Sequence, residues 1–83
     1  MAAAMPDNLT GWAARAYRAE RVVTVDYTNW KGERSTRRIQ PIRMLWGSNK
    51  WHTEPQWLLV AIDLDKGDER VFAMSGFHGW GLS

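Results

Sequence analysis

Arg37, Arg38, Lys50, Trp51, His52 and Arg70 are the residues whose types could do recognition chemistry in this chain. Arginine carries a planar fork of donors that matches a phosphate in a bidentate way. An indole or imidazole ring offers a face on which a base can stack, at about 1–3 kcal/mol per base. Trp51 stands between Lys50 and His52 in the stretch "GSNKWHTEP", with Gly47 and Pro55 at the ends of the loop. Together the six predict a site for a nucleic acid or nucleotide. Plainer roles compete: Trp51 plugging the mouth of the fold, His52 capping the loop, Arg70 pairing across strands with a carboxylate.

Catalysis is a weaker reading of the same residues. Ser48, His52 and Glu54 lie within seven positions, yet a short loop offers nothing to orient them as a triad. No glycine-rich phosphate loop is present. Asp63 and Asp65 open "DLDKGDE" like a calcium loop, but the glycine falls one place early and no glutamate follows at the twelfth position. A hairpin turn with exposed carboxylates is the expectation there. His52 and His78 are far apart, and with no cysteine in the chain they have no zinc spacing. The sequence therefore predicts a binding module with no catalytic residue, metal or cofactor.

Charge is uneven. The formal net charge is +2, but residues 15–43 carry eight basic against three acidic side chains, and residues 44–83 three against five. A basic half attracts phosphates; it also describes an ordinary solvated face. "MAAAMPDN" has no basic leader before an apolar stretch, and no window nears the roughly 18 apolar residues of a membrane span. The expectation is a cytoplasmic protein without membrane contact.

The elements that must position these groups follow from periodicity. Residues 1–6 read as a disordered lead. Leu9, Trp12, Ala13, Ala16 and Tyr17 share one helical face, predicting a helix over 8–20 with Asp7 or Asn8 as its cap. Val23, Val25 and Tyr27 alternate as a strand. "TNWKGE" is a turn in which Asn29 and Gly32 can take positive φ. In "RSTRRIQPIRMLW" the apolar parity changes between Ile39 and Ile42, so Pro41 marks a bulge or corner. "QWLLVAIDL" is the most buried strand, and "ERVFAM" follows after a tight turn. Trp46 and Trp57 fall in phase with core positions and are expected inside; Trp51 is the odd one out. One helix and four to five strands in consecutive hairpins predict a mainly β fold, a small bent sheet or barrel over residues 21–77. The glycine-rich tail 78–83 follows, with Phe77 and Trp80 tucked back.

"ERVVTVDYTNWKGERSTRRIQPIRML" and "QWLLVAIDLDKGDERVFAM" together resemble the WYL domain family over roughly residues 20–77. The resemblance rests on the strand ending in Tyr27, Gly32 with Glu33, Arg37 through Ile39 to Pro41, Trp57-Leu58-Leu59, and Arg70 with Phe72. It implies an SH3-like or Sm-like β-barrel acting as a regulatory, ligand-sensing module of bacterial and phage proteins. Such modules are often joined to transcription regulators and linked to nucleic-acid or nucleotide ligands. It also implies that Arg37 and Arg70 belong to a basic ligand face. Two positions depart from the pattern: Leu58 replaces the middle tyrosine, and Gly76 stands where an arginine is common.

Only one helix precedes the first strand, whereas a helix-turn-helix reader needs two. The leading expectation is thus a ligand-binding module. The alternative is a protein-interaction module, forming a homodimer or joining a partner through the helix face of Leu9, Trp12, Ala16 and Tyr17 or through an open sheet edge.

Overall fold

The computed structural model describes residues 5–82, so most of the expected lead 1–6 lies outside them. The fold is mainly β. A short helix α1 (Gly11–Ala16) and a 3-10 turn (Ala19–Arg21) precede strands β1 (Val23–Thr28), β2 (Arg34–Gly47), β3 (Gln56–Asp63), β4 (Asp68–Ala73) and β5 (Phe77–Leu82). The five form one antiparallel sheet in the order β4-β3-β2-β1-β5.

That order fixes the curvature. β4 and β5 are opposite edges, yet only the 3-10 turn Met74–Gly76 separates them in sequence. The sheet must roll until its edges approach. Tyr27 on β1 spans the roll: its hydroxyl accepts the Ala73 N–H of β4 at 2.9 Å, and its ring meets Phe72 edge-on at 5.0 Å. β4 and β5 share no ladder among the described residues, so the sheet stays open along that seam.

β3 is buried on both faces, as its nearly continuous apolar run requires. Leu59 and Ala61 face the concave core with Val25, Tyr27, Ile39 and Phe72. Ile62 and Leu64 face outward, against Leu9 and Ala13 of the N-terminal segment. The parity change in β2 is a register shift between Pro41 and Arg43.

The helix is shorter than 8–20. Gln40, buried on β2, donates to Ala16 O at 3.0 Å and accepts the Arg18 N–H at 2.7 Å. A side chain thus takes the groups that another helical turn would use, and Tyr17 is already extended. Asn8 caps nothing; it donates to Leu64 O at 2.9 Å and straps the segment to the β3–β4 turn. Of the expected docking face, Leu9 is buried in the chain's own core with Ala16 and Tyr17 packed against it, whereas Trp12 stays 43% exposed. The glycine-rich tail is β5, paired with β1, and its Phe77 packs on the core.

Trp46 and Trp57 are not core. They are 60% and 51% exposed and meet edge-on at 5.5 Å. The reason is pairing: β1 covers only residues 34–39 of β2. β4 pairs with β3 only as far as Leu58, so at Trp46 and Trp57 the β2–β3 arm is a two-stranded tip with no third strand beside it.

Candidate ligand pocket

Register brings two arginines from separate strands to one side. Arg37 on β2 lies opposite Val25, and Arg70 on β4 lies opposite Ala61. Directly opposed residues in an antiparallel pair project to the same face, and Val25 and Ala61 belong to the concave core. Both arginines therefore stand at one end of the rolled sheet. They line a cavity of about 400 Å³ with Trp30, Lys31, Trp51, His52 and Lys66, over Tyr27 and Phe72. That volume lies within the range of about 300–1,000 Å³ typical of small-molecule sites.

The two arginines are not equivalent. Arg37 donates from Nη1 to Asp63 Oδ2 at 2.7 Å and from Nε to Ser35 Oγ at 2.9 Å. The Asp63 side chain is completely buried. Its Oδ1 also accepts the Asp65 and Lys66 N–H groups at 3.0 and 3.2 Å. Asp63 is thus the hub of the β3–β4 turn, and not one of its exposed carboxylates as the sequence implied. Arg37 is largely committed to balancing it. Arg70, Lys66 and Lys31 have no carboxylate within 4.0 Å among the described residues. Four cations against Glu33 line the cavity, and three of those cations are uncommitted.

Two tryptophans form the rim. Trp51 stacks on Trp30 of the β1–β2 turn, with centroids 5.0 Å apart and planes at 28°. Asn49 holds the Trp51 loop by accepting the Trp51 and His52 N–H groups at 2.9 and 2.7 Å. Asn29 braces the other turn in the same way, accepting from Lys31 and Glu33 at 2.9 and 3.0 Å. Asn29 uses its side chain there; the positive φ falls on Gly32 alone in that turn.

Of the six residues chosen from sequence, Arg37, Arg70, Trp51 and His52 share the cavity. Arg38 has the opposite parity and pairs with Asp65 at 2.9 Å away from it. Lys50 lies over the Trp51 ring at 4.7 Å and is not in the lining. Trp30, Lys31 and Lys66 were missed. The signal for Trp30 was a large apolar residue in a polar turn, which no core position explains. No hydrogen bond joins Ser48, His52 and Glu54 among the described residues. His78 lies elsewhere, hydrogen-bonded to Thr28 at 2.7 Å.

A family model of the WYL domain matches residues 12–80. The chain belongs to the WYL domain family. WYL domains are generally regulatory, ligand-sensing domains. No curated protein and no solved structure matches the chain. In this WYL domain the name motif is Trp57-Leu58-Leu59. Leu58 is buried opposite Ala73, in an apolar place where no hydroxyl is called for. The second departure also has a steric cause. A Cβ on Gly76 would lie 2.5 Å from Thr28 O and 2.6 Å from the Tyr27 ring. No side chain fits there without displacing Thr28 or Tyr27, and the uncommitted cations of the cavity are Arg70, Lys66 and Lys31.

Proposed function

We propose that this WYL domain is a non-enzymatic sensor that binds a nucleotide or a single-stranded nucleic acid in the cavity at the arginine end. One observation carries this reading: Arg70 and Lys66, free of carboxylates among the described residues, share a cavity with two half-exposed indoles. Phosphate would sit on Arg70 and Lys66, and Arg37 would add a donor while keeping Asp63 neutralised. The curled sheet is read as an SH3-like barrel with an unzipped β4–β5 seam, since a three-residue turn joins its edges. Among the described residues no helix is long and apolar enough to cross a membrane. The cytoplasm, where nucleotide ligands are abundant, is the proposed setting, and a transcription regulator the proposed receiver of the signal. Fluorescence anisotropy with a labelled single strand at two salt concentrations tests the idea. Saturable binding that weakens with salt and is lost in Arg70→Ala supports it; no binding at low salt removes it.

A second reading has its own observation. The concave side of the β2–β3 arm exposes Met44, Trp46 and Trp57 next to a groove lined by Leu59, Met74 and Trp80. Beyond residue 39, β2 has a strand on one side only. Half-exposed aromatic side chains of about 150–250 Å² each give a patch of several hundred Å², a large fraction of the roughly 800 Å² per partner in a stable complex. The occupant proposed is a second copy, pairing the open β2 edges antiparallel about a two-fold axis. Such pairing centred on Met44 sets Arg43 opposite Leu45 of the second copy, so no like charges meet.

A further inference from the structure

We infer that Trp30 and Trp51 form a clamp that opens to take one planar aromatic ring between them, so the cavity selects ligands carrying both a nucleobase and a phosphate. This rests on the phosphate-binding reading of the cavity and adds to it the part that recognises the base. Three observations support the clamp. The indoles are 52% and 50% exposed, although stacked on each other at 5.0 Å. They belong to two different loops. Each loop is braced internally by its own asparagine, and no hydrogen bond joins the two loops among the described residues. Parting the stack therefore breaks no hydrogen bond between the loops.

The geometry sets what can enter. Ring contacts of about 3.5–4.0 Å on both faces require the indole planes to part to about 7–8 Å, a shift of a few ångströms in a loop that starts at Gly47. A flat ring one atom thick fills that slot; a sugar, a branched aliphatic chain or a peptide backbone does not. The clamp is also cationic. Lys31 Nζ lies 5.5 Å from the Trp30 ring and Lys50 Nζ 4.7 Å from the Trp51 ring. A base held there leaves its phosphate in the cavity that Arg70 and Lys66 line. The chemistry is shared by a free nucleotide and by a base within a single strand.

Titration calorimetry of the whole chain with adenosine monophosphate, ribose 5-phosphate and a short oligothymidine separates the possibilities. The mononucleotide should bind at least about tenfold more tightly than ribose 5-phosphate, within the range that base stacking supplies. Trp30→Ala and Trp51→Ala should each erase that difference. Both positions are on the surface, and circular dichroism checks that the variants fold. Tighter binding of the oligothymidine assigns the base to a nucleic acid, and tighter binding of the mononucleotide to a free nucleotide; either result supports the clamp. Equal binding of mononucleotide and ribose 5-phosphate to the unaltered protein overturns the clamp while leaving the phosphate site standing. Binding of none of the three overturns both.

Discussion

Arg37 and Asp63 are joined by a 2.7 Å ion pair whose carboxylate is wholly withdrawn from water. The pair spans β2 and the end of β3, and the same carboxylate organises the β3–β4 turn. Breaking a buried pair from one side leaves a desolvated charge and costs about 3–5 kcal/mol. Arg37→Ala should therefore lower the urea midpoint strongly. Arg70→Ala, with no partner to strand, should stay within about 0.5 kcal/mol of the parent and lose ligand binding instead. Equal stability losses in the two variants would contradict the division of roles between them.

On the proposed reading, salt dependence tells how many phosphates the cavity engages. Each cation lost from a phosphate contact should reduce the slope of log K against log salt by about 1. Arg70→Ala and Lys66→Ala should each do so in anisotropy titrations, whereas Arg38→Ala, paired with Asp65 outside the cavity, should leave the slope alone.

Tyr27 makes the fold sensitive to alkali. Burial, the largest influence, pushes its phenol above the ordinary value of 10.0, against the Ala73 N–H and the Arg37 charge, which pull it down. Folding thus favours the neutral phenol. Its contribution is complete below pH 10 and is lost as pH rises through the elevated folded value. Tyrosinate absorbance followed as pH rises should show Tyr27 ionising only with unfolding. Tyr27→Phe strands the Ala73 N–H and should cost about 1–3 kcal/mol.

Restoring the arginine common in the family at Gly76 should not rebuild a family site. Any side chain meets Thr28 O and the Tyr27 ring within 2.6 Å. Overpacking costs about 1–3 kcal/mol, occasionally more. Gly76→Arg should lower the melting temperature, and Gly76→Ala should lower it as well. A Gly76→Arg protein of parental stability with tighter phosphate binding would show that the turn can yield.

Self-association through the β2–β3 arm predicts a dimer in sedimentation equilibrium that Trp46→Glu or Met44→Glu returns to monomer. Neither change touches the cavity at the arginine end, so ligand affinity per chain should persist. A monomer at every concentration examined would rule the arrangement out.

Local pattern was enough for much of the fold. Alternation in "VVTVDY" placed Val25 and Tyr27 inside. The apolar run of β3 announced a strand covered on both faces, and the parity break at Pro41 located the bulge. Those signals are carried by neighbouring residues, so the chain states them itself. The placement of Arg37 and Arg70 was legible in the same way: their side-chain parities, once strands pair, send both to the concave face. Three matters needed tertiary structure. The helix length was set by Gln40, 24 residues from Ala16, because a distant side chain competed for the helix's backbone groups. The exposure of Trp46 and Trp57 was set by where β1 stops pairing with β2 and β4 with β3, which periodicity within either strand cannot contain. The partner of Trp51 came from another hairpin, and the carboxylate that claims Arg37 from the far end of the paired strand, 26 residues away. A sequence records which side of its strand a residue faces; only the rolled sheet decides what waits on that side.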